Sequence, residues 1–358
     1  MRVAVVFGGS SVEHEISIIT GMQVLASINK TKYKVYPVYL TKDNKFMMGK
    51  KLHMLETYKQ DKIKMNEVVF TRNKILTNFS SIPIDVVITC VHGRGVEGGE
   101  LAGFFETLQI PYTSCDVLTA SICQDKITTK KLLSYEQIPI VKFIGIAYSD
   151  WINNRDDVLN EIKFLNYPLI GKAANLGSSI GIEYISSPNQ LEKAIIALFK
   201  YDDRILIEEA LTDFREFNCS IIDKDVVSVI EEVNTSNDLL TFNDKYEESK
   251  AYRTIPAKID IELEKLIIDT TKNVAQIINN KGVSRIDYLF DTNNDMLYVN
   301  EVNTIPGSLS YYLYEDKGIY FDDLLDLLID RAIKNKFLKK QKINTFSSNV
   351  LNMKGIKK

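Results

Sequence analysis

The stretch Ser284-Arg285-Ile286-Asp287-Tyr288-Leu289-Phe290, with Asp291 to Asp295 after it and then Met296-Leu297-Tyr298-Val299-Asn300-Glu301-Val302-Asn303, decides how the rest of the chain is read. Both arms are rich in β-branched and aromatic residues, and the Asn/Asp cluster between them is a turn signal, so the pattern predicts a β-hairpin. Arg285 and Asp287 share one face of their strand, as Glu301 and Asn303 do on theirs. A loop centred on Asn294 pairs Asp287 with Glu301 and Arg285 with Asn303, so that all four side chains converge. A loop centred between Asn293 and Asn294 turns Glu301 to the opposite face, because a one-residue slip reverses every side chain. Three hard oxygen donors on one face suit Mg²⁺, which takes carboxylates together with phosphate oxygens and water. Arg285 beside them would stabilise negative charge developing near the metal. The competing reading is an exposed face with ordinary charges. Against it, Glu301 and Asn303 interrupt an apolar run that leads into Thr304-Ile305-Pro306-Gly307, where a buried strand would end.

A chain of 358 residues is too long for one typical core and implies two or three domains. Its 45% hydrophobic and 25% charged residues are those of an ordinary soluble globular protein, and a net charge of −3 makes no electrostatic case for nucleic acid. Met1-Arg2-Val3-Ala4-Val5-Val6-Phe7 runs into Gly8-Gly9, which reads as a strand and turn rather than a signal peptide. No apolar segment approaches the ~18 residues of a membrane span. Cys90, Cys115, Cys123 and Cys219 form no CxxC pair or secreted framework, so reduced thiols and a cytoplasmic location are expected. His14, His53 and His92 are too scattered for a zinc site, and no internal repeat is present.

Upstream of the hairpin, glycine-rich turns follow apolar strands at three places. Val3 to Phe7 ends in Gly8-Gly9-Ser10-Ser11, and a helix is predicted from Val12 to Leu25 with Glu13 and Glu15 in its first turn. Strand, glycine turn and helix also fit a dinucleotide site. However, the pattern is not G-x-G-x-x-G, and acidic residues at the helix start would repel a pyrophosphate. A substrate ammonium suits Glu13 better. Ile84 to Val91 runs into His92-Gly93-Arg94-Gly95-Val96-Glu97-Gly98-Gly99, at the strand end where open α/β sheets bind ligands. Pro168 to Ala173 carries Lys172 inside an apolar strand, which is costly without an anionic partner. Gly177-Ser178-Ser179-Ile180-Gly181 then offers N–H groups and hydroxyls to a phosphate, although no Walker motif occurs. Asp116 to Tyr135 reads as one helix with Asp125-Lys126 midway and Lys130-Lys131 solvated. Asn234 to Arg253, containing Asp244-Lys245-Tyr246, is long enough to be a functional lid. Phe321 to Ile333 reads as a last helix before a basic tail.

These motifs occur together in the order found in D-alanine–D-alanine ligases of the ATP-grasp superfamily, which the chain resembles from residue 1 to about 335. The resemblance implies a three-domain α/β (α+β) ATP-grasp fold. It comprises an N-terminal parallel-sheet domain at 1–114, a central ATP-grasp domain at 115–208 and a C-terminal one at 209–335, with 336–358 a disordered basic tail. It implies that ATP phosphorylates the carboxylate of a first D-alanine, that the amine of a second D-amino acid attacks the acyl phosphate, and that the dipeptide serves peptidoglycan synthesis. Carried over by position, Glu13 would hold the first ammonium and would join Ser178 and Tyr246 in a hydrogen-bonded set. Lys126 and Lys172 would contact ATP phosphates, Glu208 and Glu216 the adenine and ribose, and Lys245 the γ-phosphate. Asp287, Glu301 and Asn303 would hold two Mg²⁺, for which Mn²⁺ could substitute. Arg285 and the Gly307 N–H would stabilise the oxyanion, with His92 also at the substrates. Family members are commonly homodimers, though no stretch of this sequence marks an interface.

Several positions depart from the family pattern. The histidine loop continues Val96-Glu97-Gly98-Gly99, Ala102 replaces a glutamine, and Ala173 replaces a proline after Lys172. Leu240 and Phe242 stand for tyrosines, and Tyr312-Leu313 stand where a serine and an apolar residue face the second carboxylate. All but Ala173 lie near the substrates rather than the metals, which leaves D-alanine the first expectation for the acceptor and D-serine or another amino acid the alternative. A nucleotide-binding protein without catalysis is disfavoured by the intact Arg285, Asp287, Glu301 and Asn303 set. A nicotinamide dehydrogenase would rest on the Gly8-Gly9 turn alone.

Overall fold

The computed structural model describes residues 1–59, 64–178, 180–235, 251–343, 345 and 347–348. Ser179, Leu240, Phe242, Asp244, Lys245 and Tyr246 therefore lie outside the described residues.

Three larger sheets follow one another along the chain. In the first, Arg2–Gly8 is flanked in parallel by Lys34–Leu40 and Val86–Thr89, and Phe46–Met48 and Asn66–Glu67 extend one edge. Every residue of Arg2–Gly8 except Arg2 is buried, because both faces of the strand are covered. Val3, Val5 and Phe7 pack against Ile18 and Val24 of helix His14–Ser27 and Leu324 and Leu328 of helix Phe321–Lys340. Ala4 and Val6 face Leu101 and Phe105 of helix Glu100–Thr107. The ends of Arg2–Gly8 and Val86–Thr89 thus deliver the Gly8-Gly9 and His92-Gly93 turns to one edge of the sheet.

The second sheet has the order Ile182–Ile185, Leu169–Ala173, Arg204–Glu209, Phe143–Ala147, all antiparallel. The third runs Ala251–Thr254, Val226–Thr235, Phe214–Ile222, Val283–Asp291, Met296–Asn303, also antiparallel. Phe217, Cys219, Ile221, Ile286 and Tyr288 cover one face against helix Ile261–Ile277. The alternate residues Glu216, Asn218, Arg285 and Asp287 therefore belong to the other face. A polar stripe down an otherwise apolar sheet is what the site is built on.

Two expectations are corrected. The segment 116–135 is two helices, Val117–Gln124 and Lys126–Tyr135, because Asp125 is extended and caps the second by accepting from the Thr128 N–H at 2.7 Å. Lys126 consequently opens a helix instead of sitting within one. The last helix continues to Lys340, past the expected end at Ile333. Among the described residues no helix is long and apolar enough to cross a membrane.

Candidate active site

The hairpin forms as Val283–Asp291 and Met296–Asn303, but its register combines both arrangements considered for it. Near the turn Asp291 pairs with Met296 and Tyr288 with Val299, which is the loop centred between Asn293 and Asn294. A bulge then leaves Asn300 without an opposite residue, after which Asp287 pairs with Glu301 and Arg285 with Asn303. The extra residue reverses the alternation. Val299 and Val302 are both buried in the core, so Asn300, Glu301 and Asn303 are left for the polar side. Without the bulge Glu301 would have entered the core.

Asp287 is only 3% exposed and is gripped from two sides. Arg285 donates to it bidentately, Nε to Oδ1 at 2.6 Å and Nη2 to Oδ2 at 2.7 Å, and the Asn303 amide donates to Oδ2 at 3.0 Å. Burial opposes the Arg285 charge, but Asp287 more than compensates and raises its pKa well above the ordinary value. Two carboxylates and an amide carbonyl on adjacent strands are the donor chemistry of a Mg²⁺ site that shares its ion with phosphate. Among the described residues no group of three or more His, Cys, Asp or Glu is placed for a metal, and Asp287, Glu301 and Asn303 lie at facing positions of the two strands.

The second sheet contributes a buried ion cluster. Glu208 lies between Lys172, with which it forms a close ion pair, and Lys130, whose Nζ is 2.8 Å from Oε2 but poorly aligned for a hydrogen bond. Burial alone would raise the Glu208 carboxyl, yet Lys130 and Lys172 hold it down at about 2. Lys172 also donates to the Asn300 Oδ1 at 3.1 Å, which ties the bulge to the neighbouring sheet. Lys130 is 2% exposed, not solvated as its sequence context suggested, and burial pushes its pKa down. Lys126 donates to the Leu176 carbonyl at 2.6 Å and lies 3.6 Å from Glu301. Glu216 lines the cavity a strand away, whereas Glu208 belongs to the ion cluster.

At the first sheet, Ser178 donates to the Glu13 carboxylate through a very short contact. The backbone closes tightly round that carboxylate. A Cβ at Gly93 would fall 2.6 Å from Oε2 and one at Gly177 3.2 Å from Oε1. Gly93 also has φ +87°, where a side chain is strained. His92 is buried, and burial lowers its pKa, so it is neutral. Its Nδ1 meets the Ile305 carbonyl at 2.7 Å and must carry the proton, leaving Nε2 to accept from the Thr20 hydroxyl at 2.9 Å. Thr20 in turn accepts from the Ser308 N–H at 3.1 Å. This relay fixes the segment around Gly307 against the N-terminal helix. Glu97 braces it too, accepting from the N–H groups of Gly93 (2.8 Å) and Ile305 (2.9 Å).

Glu13, His92, Lys126, Ser178, Glu216, Arg285, Glu301, Asn303, Gly307 and Tyr312 all line one cavity of about 310 Å³. Asp287 stands directly behind that lining, bonded to Arg285 and Asn303, while Lys172 is bonded to Asn300, which does not line the cavity. Leu313 does not join them. It has zero exposure and is packed in the core, because the turn after Gly307 points Tyr312 at the cavity and the next residue away from it. Thr20, Lys130, Asn218, Glu231 and Asn300 were missed in the sequence. Only Lys130 carried a signal, lying three residues from both Ile127 and Leu133 and so on the buried side of its helix.

Family models for the D-ala D-ala ligase N-terminus and C-terminus match residues 2–115 and 132–330. The chain belongs to the D-alanine–D-alanine ligase family. The D-alanine–D-alanine ligase of Thermosipho africanus is 38% identical over 99% of both chains, and that of Caldicellulosiruptor bescii is 35% identical over 95% of this chain and 97% of its own. Among solved structures, the VanG D-Ala:D-Ser ligase of Enterococcus faecalis superposes with a TM-score of 0.82 at 29% identity, over 92% of this chain and 99% of that one. The D-alanine-D-alanine ligase of Coxiella burnetii gives 0.82 at 24% identity over 95% and 96%, a likeness of fold. The architecture is the α/β ATP-grasp fold of this family.

Proposed function

We propose that the chain joins two D-amino acids, with D-alanine as donor and as the expected acceptor, at the expense of ATP, to supply a peptidoglycan precursor in the cytoplasm. Its three larger sheets correspond in this reading to the three domains at 1–114, 115–208 and 209–335. The observation that carries the proposal is the convergence on one cavity of an ammonium-binding carboxylate, Glu13, with the cations Lys126 and Arg285 and the oxygen donors Glu301 and Asn303. Phosphoryl transfer is mostly positioning and charge neutralisation, and this lining supplies both.

In the reaction, a carboxylate oxygen of the first D-alanine attacks the γ-phosphorus and ADP leaves. The amine of the second amino acid then attacks the acyl carbon, loses a proton, and expels phosphate. Glu13 holds the first ammonium, Lys126 and Lys172 hold phosphate oxygens, and Glu216 faces the ribose side. Glu208, which resemblance put at the nucleotide, acts through Lys172, whose charge it maintains. Mg²⁺, or Mn²⁺ in its place, would be held by Asp287, Glu301 and Asn303 and supplies neutralisation of the phosphate charge. Arg285 and the Gly307 N–H face the oxygen that turns anionic as the amine adds. Lys245 and Tyr246 keep the roles that the family resemblance implies, and a homodimer is an assembly that the resemblance allows.

The test is release of ADP and phosphate from ATP with Mg²⁺ and D-alanine, with the dipeptide identified by mass. No release with any pair of D-amino acids removes the proposal. A ligase with another acceptor, D-serine among them, is the second reading. It rests on Tyr312, whose hydroxyl and ring occupy the cavity where a serine is usual.

A further inference from the structure

The cavity is asymmetric in how its cations are engaged. Peptide-bond formation consumes the carboxylate of the first amino acid but only the amine of the second, so the acceptor keeps an ionised carboxylate that needs a partner. Three cations line the cavity among the described residues: Lys126, Arg285 and Arg253. Lys126 is held by the Leu176 carbonyl and Glu301, and Arg285 gives its Nε and Nη2 to Asp287. Arg253 is engaged differently. Its Nε lies 3.5 Å from Oε1 of Glu231, a carboxylate with 1% side-chain exposure, while the Arg253 side chain is 49% exposed. The guanidinium lies 5.7 Å from the centroid of the Tyr312 ring, a distance at which its charge is attracted to the ring face.

Glu231 is itself anchored from behind. Its Oε2 accepts from the Asn218 amide at 2.8 Å and from the Tyr312 hydroxyl at 3.3 Å. Burial raises the Tyr312 pKa to about 12, with Glu231 adding to the effect, so the phenol stays protonated and can donate. With its Nε edge towards Glu231 and the Tyr312 ring beside it, the planar fork leaves its Nη edge for bidentate capture of a second carboxylate.

We infer that Arg253, oriented by Glu231 and Tyr312, reads the carboxylate of the second amino acid, an inference that rests on the ligase function proposed above. Arg253 is then a specificity residue that touches substrate. Asn218 and Glu231 are positioning residues that act through it. Tyr312, in place of a small hydroxyl residue, serves as the platform for an arginine instead of contacting the carboxylate itself.

The experiment is a competition. Enzyme, Mg²⁺ and ATP are supplied with D-alanine and D-alaninamide together, and the dipeptide and its amide are quantified by mass spectrometry. The wild-type chain should favour D-alanine as acceptor. In Arg253→Ala the ratio of dipeptide to amide should fall roughly tenfold or more, the range expected for a lost hydrogen bond between charged groups. The ratio does not depend on how much active enzyme is present, so a merely structural defect would leave it unmoved. If exposing Glu231 unfolds that variant, the double change R253A with E231Q removes the stranded anion and should show the same fall. Dipeptide formed by either variant at the wild-type ratio overturns the inference while leaving the ligase function standing. A wild-type chain that makes no product with any acceptor removes both.

Discussion

Lys172 donates to Asn300 across two sheets, from Nζ to the amide oxygen over 3.1 Å. Asn300 is the one residue of Met296–Asn303 with no partner in the opposite strand, and the lysine binds its side-chain oxygen. The same lysine is paired with Glu208, so one ammonium connects the ion cluster of the second sheet to the bulge that aims Glu301. Asn300→Ala should lower stability by about 1 kcal/mol, the net worth of such a hydrogen bond. It should also weaken ATP binding, because Lys172 loses a fixed point. Urea unfolding checks the first part, and an unchanged midpoint at equal slope would exclude the contact.

Among the described residues, Glu208 is the carboxylate that ion-pairs with both Lys130 and Lys172. Replacing it with Gln strands both charges, and the expected cost is about 3–5 kcal/mol. Combining Glu208→Gln with Lys130→Met should recover part of that loss, since one stranded charge is gone. Denaturant unfolding of the two variants decides it. A double variant no more stable than the single one would mean that the lysine was not paired.

Burial, with Glu13 nearby, pushes the Glu97 carboxyl up to about 7, against the pull of its N–H donors. Its value outside the fold is 4.5, so between 4.5 and 7 the native state binds more protons than the unfolded one. The contribution of this group is therefore fully present below pH 4.5 and is lost as pH rises through 7. Glu97→Gln should flatten the fall in stability across that window, whatever offset the amide introduces. Melting temperatures of both chains over a pH series test this, and parallel curves would refute it.

Removing one oxygen donor should uncouple metal from nucleotide. Glu301→Gln is expected to abolish ADP release and to lose most of the rise in melting temperature that Mg²⁺ with ATP gives the wild-type chain. Chelation of the metal should do the same to the wild-type chain. Full turnover by the variant would remove Glu301 from the metal set.

The hairpin, the glycine turns and the buried Lys172 were legible because each is a local statement. Alternation marks the strands, glycine marks the turns, and a lysine in an apolar strand demands a partner. The bulge was not legible. Which residue of Met296–Asn303 loops out depends on Lys172, more than a hundred residues away in the chain, and both plain registers were half right. Lys130 was misread for the same reason, since its partner Glu208 comes from a distant strand. The break at Asp125 was local and readable in principle, as a capping residue ahead of Lys126, but the apolar pattern runs straight through it. Leu313 failed because counting along the chain from Gly307 assumes an extended segment, whereas Ser308, Leu309 and Ser310 turn left-handed there.

The contact between Ser178 and Glu13 makes one carboxylate the common property of two events. Ser178 belongs to the loop that follows Lys172, which the proposed function puts on the nucleotide side, while Glu13 caps the N-terminal helix, which it puts on the amino-acid side. In that reading an ammonium bound at Glu13 would draw on the same carboxylate that accepts from Ser178, so the two sides would be coupled through one hydrogen bond. By reciprocity, whatever the first amino acid does to the affinity for ATP, ATP must do equally to the affinity for the first amino acid. In that reading, loss of the Ser178 hydroxyl should weaken the coupling between the two substrates more than the binding of either one.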